Sequence, residues 1–175
     1  MNLFLIGYRG SGKTTVAAAL AGRLGWPWLD ADAELERRAG KSIKQIFANG
    51  GEIAFRDLES AVLAELTALE RHVIALGGGV VLREQNRSLL RGRGKVVWLT
   101  AAPETLLARI RSDPTTAARR PDLTAQGGLE EIRSLLAQRT PLYSACADLT
   151  IEADRLCPDE IAAEILIALP LQDPA

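Results

Sequence analysis

Short apolar runs alternate along this chain with stretches that repeat apolar residues at helical spacing. Asn2-Leu3-Phe4-Leu5-Ile6 predicts a buried strand, since an unbroken apolar run of this length suits a strand covered on both faces. Trp28-Leu29-Asp30 predicts a short second strand and Val73-Ile74-Ala75-Leu76 a third. Lys95-Val96-Val97-Trp98-Leu99 predicts a fourth, and Asp148-Leu149-Thr150-Ile151-Glu152 a fifth. Helices lie between them. Val16, Leu20 and Leu24 recur every four residues, and Gly25 stands where a glycine commonly ends a helix. Ala33 to Ala39 reads as helix, stopped by Gly40. Ser42 and Gln45 form a capping box that starts another, interrupted by Gly50-Gly51. Phe55, Leu58, Val62, Leu66 and Leu69 mark the apolar face of a longer helix. Glu84 to Leu90 is helical. Pro103 opens the next helix, at a position where its missing N–H costs nothing, with Leu106, Leu107 and Ile110 as the apolar face. Leu129 to Ala145 is again helical, and Pro158-Asp159-Glu160 opens the last helix. Regular alternation of strands and helices predicts an α/β fold, a parallel sheet with helices on both faces.

One interval departs from this pattern. Ser112 to Gly128 holds two prolines, Thr115-Thr116, Arg119-Arg120 and paired glycines, and reads as a long polar loop. Loops of this length inside a compact domain usually carry function, often as lids.

The length of 175 residues suits a single domain, 1–175, with a sizeable core. A net charge of −1 argues against a broad nucleic-acid or membrane surface, so any anion site must be local. Cys146 and Cys157 lack the spacing of a disulfide framework and read as reduced, structural thiols. The chain enters its first strand at once, without the basic and apolar regions of a signal peptide, and has no run near the ~20 apolar residues that span a bilayer. A cytoplasmic monomer is the expectation.

Gly7-Tyr8-Arg9-Gly10-Ser11-Gly12-Lys13-Thr14 follows the first strand and opens the first helix, matching the phosphate-binding pattern G-x-x-x-x-G-K-[ST] in the context it requires. Glycines let the backbone wrap a polyphosphate, and the helix N-terminus adds partial positive charge. Lys13 supplies a full charge to the β- and γ-phosphates and Thr14 a hydroxyl to Mg²⁺. ATP or a similar nucleotide is therefore expected.

Other candidates are weaker on spacing alone. Asp30 and Asp32 lie two apart where the chain is predicted extended, so both can face one side. They suit Mg²⁺ and an acceptor hydroxyl, or simply cap the next helix. Arg56 with Glu59 is either a surface i, i+3 pair or a fork for a carboxylate or phosphate. Gly77-Gly78-Gly79 after a buried strand is costly in entropy, and fits a place where backbone N–H groups approach a ligand. Arg119, Arg120 and Arg139 are cations that could meet phosphoryl charge or be solvated. A single histidine, His72, has no partner pattern for a triad and reads as structural. No Cys/His spacing suggests zinc. No apolar strand ends in Asp-Glu as in motor ATPases, and no Asn-Lys-x-Asp appears for guanine. A compact transfer enzyme remains.

Taken together, Gly7 to Thr14, Asp30-x-Asp32, Gly51-Glu52 with Phe55-Arg56-x-x-Glu59, Gly77-Gly78-Gly79, Arg120-Pro121 and Arg139-x-Pro141-Leu142-Tyr143 resemble the shikimate kinases, in that family's order. The resemblance implies a three-layer α/β/α fold on a five-stranded parallel sheet, like that of nucleoside monophosphate kinases. It implies a substrate-binding segment at about 31–60 and a mobile lid at about 112–128. It implies ATP-dependent phosphorylation of the shikimate 3-hydroxyl. Gly10, Ser11, Gly12, Lys13, Thr14 and Thr15 would hold the ATP phosphates, and Thr14 and Asp30 would hold Mg²⁺. Asp32 would be the base at the 3-hydroxyl. Arg56 and Arg139 would grip the carboxylate, with Gly77, Gly78 and Gly79 beside it. Arg120 would be the lid arginine, with Arg119 next to it as the alternative. Arg109 and Arg155 would contact adenine. Another small-molecule kinase, for gluconate or a nucleotide, and a non-catalytic nucleotide-binding module are the competing readings.

Overall fold

The structure, a computed structural model, describes residues 1–113, 128–169 and 171. Five strands form one sheet: β1 (Asn2–Ile6), β2 (Trp28–Asp30), β3 (Val73–Ala75), β4 (Gly94–Thr100) and β5 (Leu149–Glu152), in the order β2-β3-β1-β4-β5. Every pairing is parallel, with Leu3 opposite Val73 on one side of β1 and Lys95 on the other. The helices are α1 (Lys13–Leu24), α2 (Ala31–Ala39), α3 (Ile43–Thr67), α4 (Glu84–Arg93), α5 (Pro103–Ser112), α6 (Gly128–Cys146) and α7 (Pro158–Ala168). A 3₁₀ turn, Val80–Leu82, precedes α4. Among the described residues, no helix is long and apolar enough to cross a membrane.

Alternation along β1 divides the core. Leu3 and Leu5 face Val16, Ala17 and Leu20 of α1 and Ile161 and Ile165 of α7. Phe4 and Ile6 face the opposite layer, where Phe55, Leu66, Leu90 and Tyr143 pack with Leu35 of α2. Burial of both faces explains the unbroken apolar run. Its one polar residue, Asn2, is fully buried but satisfied. Its side-chain amide donates to the Leu69 carbonyl at 2.6 Å and accepts from the His72 N–H at 3.1 Å, pinning the start of β1 to the approach to β3. A third cluster joins Tyr8 of the glycine loop to Leu106 and Ile110 of α5 and Ile132 of α6. Cys146 sits in the core, where burial pushes its thiol up, and Cys157 is exposed ahead of α7.

Two predictions on the helices are corrected. α2 begins at Ala31, directly after β2, and not at Ala33. The Asp30 carboxylate is the N-cap, accepting from the N–H groups of Asp32 at 3.0 Å and Ala33 at 3.1 Å. Asp32 therefore lies in a first helical turn and not in extended chain, because a capping aspartate competes well for those two N–H groups. In α3 the capping box forms as expected, and the helix kinks at Gly51 (φ 69°, ψ −170°). Its buried face is Phe55, Glu59, Val62, Leu63 and Leu66, while Leu58 is 38% exposed. A carboxylate occupies the inward position next to Phe55, so apolar spacing points to the wrong neighbour. Arg56 makes that burial tolerable by pairing with Glu59.

Candidate functional site

The carboxyl ends of β1, β2 and β3 open onto a cleft of about 560 Å³. Ligands in open parallel sheets sit at this edge. The loop from Gly7 to Gly12 forms its floor. Gly7 has φ 141°, and a Cβ there would fall 2.3 Å from the Leu99 carbonyl oxygen, so only glycine lets the loop leave β1 beside β4. Gly10 to Thr15 line the cleft as α1 begins, aiming the free N–H groups of a helix N-terminus at it. The Lys13 ammonium is folded over the loop, donating to the carbonyls of Gly7 and Tyr8, each at 2.9 Å. These neutral acceptors hold the charge where a phosphate would meet it.

On one wall, the Thr14 hydroxyl donates to the Asp30 carboxylate at 2.7 Å, through the oxygen that does not cap α2. Two hard oxygen donors thus meet beside the phosphate loop. Mg²⁺ is usually held by one or two carboxylates plus substrate phosphates, and this pair fits such an ion. Asp32 lines the cleft from the first turn of α2.

Gly77 and Gly78 line the opposite wall, and two buried arginines converge behind it. Arg56 is 6% exposed and packs against Gly79, where a Cβ would fall 2.1 Å from its Nη1. It pairs with Glu59 at 2.8 Å and Glu52 at 3.2 Å, and its guanidinium lies 5.1 Å from the centre of the Phe55 ring. From α6, Arg139, also 6% exposed, donates to the Gly78 carbonyl at 3.4 Å. Tyr143, one turn on, donates its hydroxyl to the same carbonyl and stacks on Trp98. The glycine run is thus the surface on which α3 and α6 present their cations.

At the far end, Arg109 donates to the Ala153 carbonyl at 2.6 Å and lines the cleft with Leu156, Pro158 and Ile161. Apolar side chains beside a guanidinium make a wall suited to a flat ring. Arg155 is not part of that wall. The neighbouring Asp154 carboxylate accepts from the Ala102 N–H at 3.0 and 3.2 Å, which holds it below the usual carboxylate range and ties the start of α5 to the end of β5. Arg119 and Arg120 lie outside the described residues, as does most of the expected lid.

A family model described as shikimate kinase matches residues 9–170. The chain belongs to the shikimate kinase family. It is 50% identical to a shikimate kinase of Rhodopirellula baltica over 97% of this chain and 90% of that one. A shikimate kinase of Symbiobacterium thermophilum is 45% identical, over 95% of this chain and 94% of that one. Among solved structures, shikimate kinase from Acinetobacter baumannii in complex with shikimate superposes with a TM-score of 0.89 at 40% identity, covering 95% of this chain and 91% of that one. Membership in the shikimate kinases accounts for the parallel sheet and the kinase reaction together.

Some neighbours of the site escaped sequence reading. Tyr8 and Arg9 fill variable positions of the loop motif, yet Tyr8 is 2% exposed and Arg9 lines the cleft. Arg9 pairs with Glu131, 122 positions away. The available signal was the presence of bulky and charged residues in a loop otherwise made of small ones.

Proposed function

We propose that this shikimate kinase transfers the γ-phosphoryl group of ATP to the 3-hydroxyl of shikimate inside the cleft, with an acceptor side built on Gly77-Gly78-Gly79. The observation that carries the acceptor assignment is the meeting of Arg56 and Arg139 on that glycine run. Two buried guanidinium groups from different helices suit a carboxylate, and planar forks recognise it with two donors. Arg56 exchanges part of its pairing with the exposed Glu52 for the substrate carboxylate, while the buried Glu59 keeps it aimed.

The loop N–H groups of Gly10 to Thr15 and the Lys13 ammonium bind the phosphates. Thr14 would hold Mg²⁺, with Asp30 acting through water, and the ion would supply positive charge to the phosphates during transfer. Asp32 accepts from the acceptor hydroxyl, orients it and takes its proton as the bond to phosphorus forms. Arg109 packs on adenine. Arg155, outside the lining beside Arg109, would be a second adenine contact only from beyond that wall. The segment at about 112–128 is the lid, and Arg120 is its cation. Pro121 biases Arg120 toward an extended backbone. Arg120→Ala should therefore lose more turnover than Arg119→Ala, read from steady-state kinetics, and the reverse order moves the role to Arg119. The enzyme works as a cytoplasmic monomer without nucleic-acid or membrane partners, supported by the scatter of its exposed apolar side chains, such as Ile53 and Ile167.

ADP release measured across shikimate, gluconate and nucleoside monophosphates tests this reading. Turnover with shikimate alone is expected. Comparable turnover with gluconate or a nucleotide overturns the acceptor assignment.

A further inference from the structure

The loop motif leaves its second and third positions unconstrained, and here both reach α6. Tyr8 packs in the cluster with Ile132 of α6, and Arg139 lies 5.8 Å from the centre of its ring. Arg9 lies next to the Glu131 carboxylate, Nη2 to Oε1 3.7 Å, in the first turn of α6. Glu131 is 1% exposed. A carboxylate so thoroughly removed from water is tolerated only when opposed by positive charge, which here comes from Arg9 and from the N-terminal end of its own helix. At 3.7 Å the contact is an ion pair longer than a hydrogen bond. It sets the guanidinium against the first turn of α6.

The place to which Arg9 is aimed follows from its neighbours. Its side chain lines the cleft together with Lys13. Its backbone abuts the acceptor side, since a Cβ on Gly78 would lie 3.5 Å from the Arg9 nitrogen. Arg9 therefore stands at the seam between the phosphate loop and the glycine run, where the outermost phosphate of a triphosphate meets its acceptor.

We propose that Arg9 is a further cation for the terminal phosphate of the nucleotide, and that Glu131 is the positioning residue that holds it at the cleft. This rests on the reading of the cleft as an ATP site. A guanidinium at that seam meets charge that ATP carries and ADP lacks, so its effect distinguishes the two nucleotides. Glu131 acts through Arg9 in this proposal.

The test is nucleotide titration of the full chain by calorimetry, using ADP and a non-hydrolysable ATP analogue with Mg²⁺. Arg9→Met keeps the length and removes the charge. It should weaken the analogue by roughly fivefold to twentyfold and change ADP by less than about twofold, as expected for one charge-assisted contact. Glu131→Gln should reproduce that selective loss to a smaller extent, and the double variant should be no worse than Arg9→Met alone. Equal weakening of both nucleotides, or additive losses in the double variant, would overturn the proposal. If Glu131→Gln does not fold, judged by its melting curve, Glu131→Asp replaces it: the shorter carboxylate should give a partial loss confined to the analogue. An analogue affinity unaffected by Arg9→Met overturns the proposal by itself. Failure of the unaltered chain to bind either nucleotide would instead overturn the ATP reading.

Discussion

Asp30 and Asp32 are separated by one residue and by a division of labour. Asp30 spends one carboxylate oxygen capping α2 and offers the other to Thr14, so its position is fixed before any ligand arrives. Asp32 borrows that rigidity, because its own N–H is one of the two that are capped. Asp32→Asn preserves the cap, which uses only its backbone, and removes the charge proposed to orient the acceptor. Turnover should fall by roughly 10²–10⁴ while ATP affinity holds, as for loss of a general base. Calorimetry with ATP alongside steady-state kinetics checks it, and a collapse of ATP binding would exchange the roles of the two aspartates. Gly79 offers an independent probe of the acceptor side. The nearest atoms its Cβ would strike all belong to the movable end of Arg56, so Gly79→Ala should fold normally. Displacing the guanidinium by an ångström or so should raise the shikimate KM about tenfold to a hundredfold and spare the ATP KM. Equal changes in both constants would mean that Arg56 does not hold the carboxylate.

Among the elements, α2 carries a charged cluster that reaches across to α3. Arg37 and Arg38 both donate to Glu34 and hold its carboxyl down to about 2; Arg38 also reaches Glu65 of α3. An unfolded glutamate titrates near 4.3. The stabilisation is therefore complete above that value and lost as pH falls toward about 2. Glu34→Gln should melt below the unaltered protein at neutral pH, by about 1 kcal/mol or less as for surface pairs. The gap should close as the pH is lowered from about 4.5 to about 2, and melting curves across that range read it. A gap that widens on acidification would contradict the pairing. At this scale, much of the sequence was legible. Turn glycines, caps and apolar periods located the strands and helices to within a few residues, because those signals are local. What escaped were positions decided by a partner far along the chain. Arg9 has meaning only beside Glu131, 122 positions away. Glu59 is a different case, its nearby partner Arg56 being plain in the sequence but the burial of the pair being decided by packing.

For the whole molecule, the site is assembled from nearly every layer. The glycine loop joins β1 to α1, the Thr14–Asp30 wall joins α1 to α2, the Gly77–Gly79 wall joins β3 to α3 and α6, and the Arg109 wall joins α5 to α7. Alternating strands and helices announced this architecture, but strand order was not legible, since periodicity carries no information on which strand lies beside which. A ligand bridging the layers should stabilise all of them together. Saturating Mg²⁺-ATP at a hundred times its Kd should add about 2.7 kcal/mol to unfolding. Lys13→Ala should lose most of that gain while melting near the unaltered protein without ligand, because the lysine lines the cleft and is not part of the core. Differential scanning fluorimetry separates the two effects, and an undiminished ATP shift in the variant would remove Lys13 from the phosphate site.

The position of β1 bears on how the chain is made. It leaves the ribosome before the other strands, yet it is the middle strand, and its neighbours arrive only with residues 73 and 94. The helix beside it waits longer still, because α1 is covered by α7, beginning at Pro158. Until then the nascent protein carries the apolar flank of Val16 and Leu20 uncovered, and the nucleotide loop hangs on a strand whose sheet is incomplete. Nucleotide capture should accordingly be all-or-none along translation. Chains stalled before about residue 150 should bind no ATP and engage chaperones, while those released past α7 should bind at full strength, a step rather than a slope along the length of the message.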